Sequence, residues 1–205
     1  SAFGGIVAFN NNVDITTAEL LSNIFLECVV APSFDKDALE ILNNKKNLRL
    51  LQLNIENIKT DNKSTFKSIL GGILEQDNDN EIDQPHEWSF VTEKRPTTEE
   101  FNDLRFSWAI CKHVKSNAIV IAKNQKTIGI GAGQMNRVGA AKIALDSAKE
   151  HTKGAVLASD GFFPFSDSVE IAHEYGVQSI IQPGGSLRDQ ESIDMCNKLG
   201  ISMIF

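Results

Sequence analysis

The sequence is short of cysteine, of excess positive charge and of long apolar runs, and each shortage excludes something. Three cysteines in 205 residues, Cys28, Cys111 and Cys196, are odd in number and form no CxxC pair. Free thiols in a reducing compartment are therefore expected, not a disulfide framework. With 20 basic against 27 acidic side chains the net charge is −7, so no general positive field exists to hold a nucleic-acid backbone or an anionic membrane. Neither is expected as a partner, and any anion must be held by a local site. No apolar stretch approaches the ~20 residues of a membrane-spanning helix, and no basic segment followed by an apolar one marks an export signal; a cytoplasmic protein is expected.

Zinc-deaminase chemistry needs H-x-E with P-C-x-x-C, and the chain has neither, so no zinc is expected. A Ser-His-Asp arrangement on a nucleophile elbow is also missing. What the chain does have is 41% apolar content and 14 glycines, enough for one large core or two small ones. It opens at Ser1 without a methionine and stops at Phe205 inside what reads as a buried strand, so a piece of something longer is expected.

Along the first part, Gly5 to Phe9 reads as a short strand, and Thr16 to Glu19 as a capping box opening a helix. Leu20, Leu21, Ile24, Phe25 and Cys28 carry that helix forward until Pro32 forces the chain out near Val30. A second helix is predicted over Asp35 to Lys45 and a strand over Leu48 to Leu53. Phe66 to Leu74 reads as two short strands about Gly71-Gly72. The acidic run Glu75, Asp77, Asp79, Glu81, Asp83 and Glu87 holds no Lys or Arg and reads as a solvated loop; EF-hand spacing is not met.

Pro96-Thr97-Thr98-Glu99-Glu100 starts a helix with Phe101, Leu104, Trp108 and Cys111 on one stripe. Ala118 to Ala122 and Thr127 to Ile130 flank the turn-like Lys123 to Lys126, predicting a β-hairpin. Beyond it, helical and strand patterns alternate: helix after Gly133, strand Ala155 to Ala158, helix Ser168 to Tyr175, strand Gln178 to Ile181, helix Gln190 to Leu199, strand Ile201 to Phe205. Such alternation predicts an α/β layered sheet with helices on both faces.

In such sheets ligands sit at the carboxyl ends of strands, beside helix N-termini. Three segments take that position: Gly131 to Arg137, Ser159 to Asp167 and Pro183 to Arg188. In the first, Gly129, Gly131 and Gly133 let backbone approach a ligand and Arg137, one turn into the helix, clamps a phosphate or carboxylate; the plainer reading is a hairpin exit with a surface arginine. The second packs Phe162, Phe163 and Phe165 beside Asp167 as a wall for a flat ring, core-filling accounting for one or two of them. In the third, the Gly184-Gly185 amides and the Ser186 hydroxyl bind an anion or a polar ring edge, or else cap the helix. Residues alone thus point to a small-anion and flat-ring pocket with no visible general acid or base.

Ser1-Ala2-Phe3-Gly4-Gly5, Lys115-Ser116-Asn117-Ala118, Ile128 to Gln134, Asp160 to Phe165 and Gln182 to Ser186 together resemble the AICAR transformylase part of the PurH family of bifunctional purine biosynthesis proteins. The resemblance runs over the whole chain. It implies a cytidine-deaminase-like α/β architecture whose zinc site is absent, with residues 1–90 in a first deaminase-like subdomain and 91–205 in a second that carries the folate and substrate loops. It implies transfer of a formyl group from 10-formyltetrahydrofolate to the 5-amino group of aminoimidazole carboxamide ribonucleotide (AICAR), in a homodimer. Gly4, Glu27, Asn117, Arg137 and Phe162 resemble the nucleotide contacts, Asn117 being the catalytic one beside the carboxamide. Val138, Asp167, Ser186 and Leu187 resemble the folate side. Asp160, with Ser116 nearby, resembles a monovalent-cation site, a potassium ion being the expected occupant.

The family's Lys-His pair belongs upstream of the Ser-Ala-Phe-Gly motif and is absent from this chain. Lys112-His113 stands in a different context and does not inherit its role. The isolated chain is therefore expected to turn over negligibly. A non-catalytic nucleotide- or folate-binding module on the same fold is the second reading, and loops serving only as structural caps the third.

Overall fold

A computed structural model describes residues 2–54, 64–79 and 85–205. It divides into two compact units, Ser1–Asn80 and Glu81–Phe205. The junction expected at 90/91 lies downstream of this division.

In the first unit three parallel strands, β1 (Gly5–Ala8), β2 (Leu26–Ala31) and β3 (Arg49–Gln52), lie in the order β1-β2-β3. Helices α1 (Ile15–Ser22) and α2 (Lys36–Asn43) supply Ala18, Leu21, Ala38 and Leu42 to a core shared with Val7, Val29 and Leu50 of the three strands. Two expectations fail here. Asp14, not Thr16, caps α1: its carboxylate accepts from Thr17 N at 2.8 Å, so the chain is already helical at Thr16. The helix then stops at Ser22, and Leu26–Ala31 is the central strand. Apolar residues at helical spacing and a short buried strand look alike over so few positions, and the Val29-Val30 pair favours the strand. Strands β4 (Ser64–Ile69) and β5 (Gly72–Asp77) form the expected antiparallel hairpin about Gly71, which turns at φ +81°. Glu75 and Asp77 therefore lie on an exposed strand and not in a loop, because they pair with Phe66 and Ser64. Glu81 and Asp83 lie outside the described residues.

The second unit is a five-stranded mixed sheet, order β10-β9-β8-β6-β7. The strands are β6 (Ile119–Lys123), β7 (Lys126–Gly131), β8 (Val156–Ser159), β9 (Ser179–Ile181) and β10 (Ser202–Ile204). β8, β9 and β10 run parallel, while β6 is antiparallel to both its neighbours. Beyond β10, residues 89–91 pair with its outer side, Ser89 N donating to Phe205 O at 2.7 Å and Phe205 N to Ser89 O at 2.9 Å.

Alternation splits the strands between two cores. Val120, Val156, Ala158 and Ile181 face α3 (Thr98–Cys111) with its Leu104 and Cys111; Ile119, Ile121, Leu157 and Ile180 pack with α4 (Arg137–Ala148), α5 (Asp167–Glu174) and α6 (Asp189–Leu199). Helices thus cover both faces, as expected for this unit. Thr97 and Glu100 form the capping box that opens α3. Asp103 of that helix, buried, receives Asn124 N at 2.8 Å and Gln125 N at 2.6 Å, holding the β6–β7 turn whose two central residues have φ +54° and +53°.

Candidate functional site

The strand directions bring four connections to one edge of the five-stranded sheet. Ile119 opposes both Gly131 and Ser159, and Ala158 opposes Ile181. The segments 115–118, 131–137, 159–167 and 182–188 therefore leave the sheet on the same rim. This brings Asn117, Arg137, Asp160 and Phe162 together, with the Gly184-Gly185-Ser186 loop beside them.

Asn117 follows a cis Ser116-Asn117 peptide. Its side-chain Nδ2 donates to Gln134 O at 2.8 Å, its backbone N donates to the same oxygen at 3.3 Å, and Gln134 N returns a bond to Asn117 O at 3.4 Å. One Nδ2 hydrogen is engaged in this way, leaving the Asn117 carbamoyl oxygen to accept from a ligand donor and the second hydrogen to donate. Gln134 can make these bonds because Gly133 turns the chain at φ +66° and its N–H reaches Lys115 O at 2.7 Å.

Next to Asn117, Ala118 N donates to Asp160 Oδ1 at 2.9 Å and Asp160 N donates to Ala118 O at 3.2 Å. Arg137 forms an ion pair with the same Oδ1 and donates to Ser159 Oγ at 3.1 Å. Burial pushes the Asp160 carboxyl up, but donors from Ser116, the Ala118 amide and Arg137 outweigh it and hold the group below its ordinary value. Arg137 Nε is buried without a hydrogen-bond partner. Cys111 lies beneath this turn, and burial, reinforced by the Asp160 charge, pushes its thiol up to about 12, so it is no nucleophile.

Several expected roles change. Arg137 is the first residue of α4, not one turn inside it, because Asn136 is the cap, its Oδ1 accepting from Gly139 N at 2.7 Å. Gly129 and Gly131 serve helix packing and not a ligand: an added Cβ would overlap the carbonyl oxygens of Ala144 and Ala140 of α4. The Gly184 and Gly185 amides are already taken, by Gln182 Oε1 at 2.9 Å and Asp189 Oδ2 at 2.7 Å, and Ser186 Oγ accepts from Arg188 N at 3.1 Å. Of the three phenylalanines only Phe163 is in the core; Phe162 and Phe165 are 46% and 50% exposed on the rim. The Arg188 guanidinium stacks 4.6 Å over Phe165, joining the third loop to the second. Leu187 is fully exposed, Val138 half-buried, and Asp167 begins α5 with Oδ1 accepting from Ser168 N at 2.7 Å. Lys112 caps the end of α3 and His113 is exposed beyond it.

Gly4 and Glu27 belong to the first unit. Gly4, at φ +72°, donates to Phe25 O at 2.7 Å, and Glu27 pairs with Arg49 at 4.0 Å with both side chains exposed. Glu27, Arg49, Phe25 and Lys46 line a cavity of ≈ 410 Å³. Gln134 and Ser159 lie inside segments that the sequence singles out, but their roles, holding Asn117 and Arg137, depend on partners distant in the chain. Among the described residues no group of three or more His, Cys, Asp or Glu gathers as a metal would require, and no helix is long and apolar enough to cross a membrane.

Residues 1–147 match the family model of the AICARFT/IMPCHase bienzyme. The chain is 66% identical, over all 205 residues, to the bifunctional purine biosynthesis protein PurH of Prochlorococcus marinus (strain MIT 9515). It is 67% identical to that of strain MIT 9215 and 59% identical to that of strain MIT 9211, again over 205 residues. It spans 40% of the length of these relatives. A solved structure titled "Structural genomics, protein ybgI, unknown function" aligns with 98% of this chain and 72% of its own at 11% identity and a TM-score of 0.21, too low a likeness to inform the fold.

Proposed function

Since the chain belongs to the AICARFT/IMPCHase bienzyme family, we propose that the protein containing it is a phosphoribosylaminoimidazolecarboxamide formyltransferase. It moves the formyl group of 10-formyltetrahydrofolate to the 5-amino group of AICAR in de novo purine synthesis, and is bifunctional with an IMP cyclohydrolase carried by the rest of the polypeptide. The observation that carries this reading is the convergence of Asn117, Arg137, Asp160 and Phe162 on one rim.

On the nucleotide side stand Asn117 and Phe162, with Arg137 beside them paired to Asp160; the resemblance adds Gly4 and Glu27 of the first unit. The Asn117 carbamoyl oxygen accepts from the substrate carboxamide, and the half-exposed Phe162 ring offers a face to the imidazole. The folate side is Val138, Asp167, Ser186 and Leu187. No residue of this chain is assigned the proton transfer, a step worth roughly two to four orders of magnitude in rate; the family's Lys-His pair takes it. The two units represent deaminase-like subdomains, and the protein works as a cytoplasmic homodimer. A potassium ion at Asp160 and Ser116 would find oxygen donors, though Arg137 already balances that carboxylate.

The test is formyl transfer from 10-formyltetrahydrofolate to AICAR by the natural full-length protein, beside the isolated 205-residue chain. Turnover by the first and negligible turnover by the second are expected. No transfer by the full-length protein, with AICAR still raising its melting temperature, would leave a non-catalytic binding module in its place.

A further inference from the structure

Arg137 is poorly placed to meet a ligand's charge. Its side chain is 11% exposed and that of Asp160 is 16% exposed, so the two form a largely buried pair. Its Nη1 serves Asp160 and Ser159, and Nη2 lies so close to Gly161 that a Cβ there would fall 2.5 Å from it. Its positive charge is therefore already answered inside the protein.

The pair instead closes a ring of contacts around Asn117. From Arg137 the ring passes to Asp160 Oδ1, to the Ala118 amide and so to Asn117; from Asn117 it returns through two donors to Gln134 O, three residues before Arg137. The links between loops are the Arg137–Asp160 ion pair, the Ala118 N to Asp160 Oδ1 bond and the bonds from Asn117 to Gln134 O; the polypeptide itself supplies the rest. Each loop leaves a different strand or enters a different helix. Without the pair, segment 115–118 would keep its contact with 131–134 and the Asp160 N to Ala118 O bond, but the Asp160 carboxylate that receives the Ala118 amide would lose the cation that holds it in place.

Resting on the formyltransferase reading, we propose that Arg137 is a positioning residue: acting through Asp160 and the Ala118 amide, it fixes the backbone that presents the Asn117 carbamoyl group, and it does not bind the substrate with its own charge. A reacting group displaced by about 1 Å loses on the order of a hundredfold in rate, so a latch one residue from Asn117 acts on turnover more than on affinity.

The experiment is a double-mutant cycle of Arg137→Met and Asp160→Asn in the natural full-length protein, read as kcat and KM for AICAR. Each single change should lower kcat at least about tenfold while KM moves less than about threefold, and the double variant should be no worse than the poorer single one. Arg137→Lys, which keeps a cation beside Asp160, should restore most of the lost kcat. A direct ligand contact would give the opposite: KM up about tenfold or more in Arg137→Met at unchanged kcat, Asp160→Asn silent, and additive effects. If the wild-type protein transfers no formyl group, the formyltransferase reading fails by itself. Amide exchange then decides the latch: the Ala118 N–H should exchange at least about tenfold faster in Arg137→Met while Ile180 N–H in β9 is unchanged, and unaltered Ala118 exchange would overturn the proposal.

Discussion

Replacing Gly129 with alanine separates two uses of glycine in this chain. A Cβ at Gly129 would overlap the Ala144 carbonyl oxygen, lie 2.9 Å from the Ala144 carbonyl carbon and approach Ala148 Cβ to 3.2 Å. Both walls are backbone or the stub of a small residue, so no side chain can rotate away, and α4 must lift from β7. Overpacking of a dense core costs about 1–3 kcal/mol, and rigid walls put this case at the upper end, about 3 kcal/mol. For a unit of this size each kcal/mol is worth about 3–5 °C, predicting a fall of about 10 °C. Trp88 and Trp108 are the only tryptophans and both lie in the second unit, so tryptophan emission on heating follows that unit alone. Gly200→Ala is the control: its Cβ meets nothing within 4 Å, and only its φ of +69° at the end of α6 resists, costing about 1 kcal/mol. A Gly129→Ala protein that melts within about 2 °C of the native one, or above Gly200→Ala, would refute the packing argument. A variant with native melting and lost AICAR affinity would restore the view of this glycine as a ligand contact.

Asp103→Ala removes two charge-assisted bonds to the Asn124 and Gln125 amides and should destabilise the second unit by about 2–3 kcal/mol, measured by urea unfolding followed through the tryptophans. The Asp160 carboxyl is held below its ordinary value, so the stability it contributes is present above about pH 4 and is lost as the pH falls through the lowered folded value; in Arg137→Met the loss should begin at higher pH, seen by carboxyl-carbon NMR across an acid titration. Phe162→Ala should weaken AICAR binding by the full-length protein about tenfold by calorimetry with little change in melting, whereas the buried Phe163→Ala should cost about 3–5 kcal/mol of stability. Equal melting of the two variants would contradict the assignment of one ring to the rim and the other to the core.

The parts legible in the chain were those whose signal is local. The helix start at Pro96 to Glu100, the β6–β7 hairpin and the alternation from β8 to β10 depend on neighbours in sequence, and they stand within a residue or two of expectation. The apolar spacing from Leu20 to Cys28 suits either period, and only pairing with β1 and β3 selects the strand over 26–31. The Gly129 and Gly131 pattern looked like a ligand loop because glycines that admit a helix and glycines that admit a phosphate are the same residue type. The partner in space tells them apart.

By itself, then, the sequence determined the period and limits of most elements, the motifs that mark the family, and which residues are candidates for the rim, since these are properties of adjacent residues and of side-chain chemistry. Only the tertiary structure decided what those candidates do to one another. Arg137, Asp160 and Asn117 are separated by 20 or more residues in the chain, yet strand register puts their loops on one edge. There a charge that looked free for an anion is consumed by a carboxylate, because a buried arginine is stable only when something opposite lies against it.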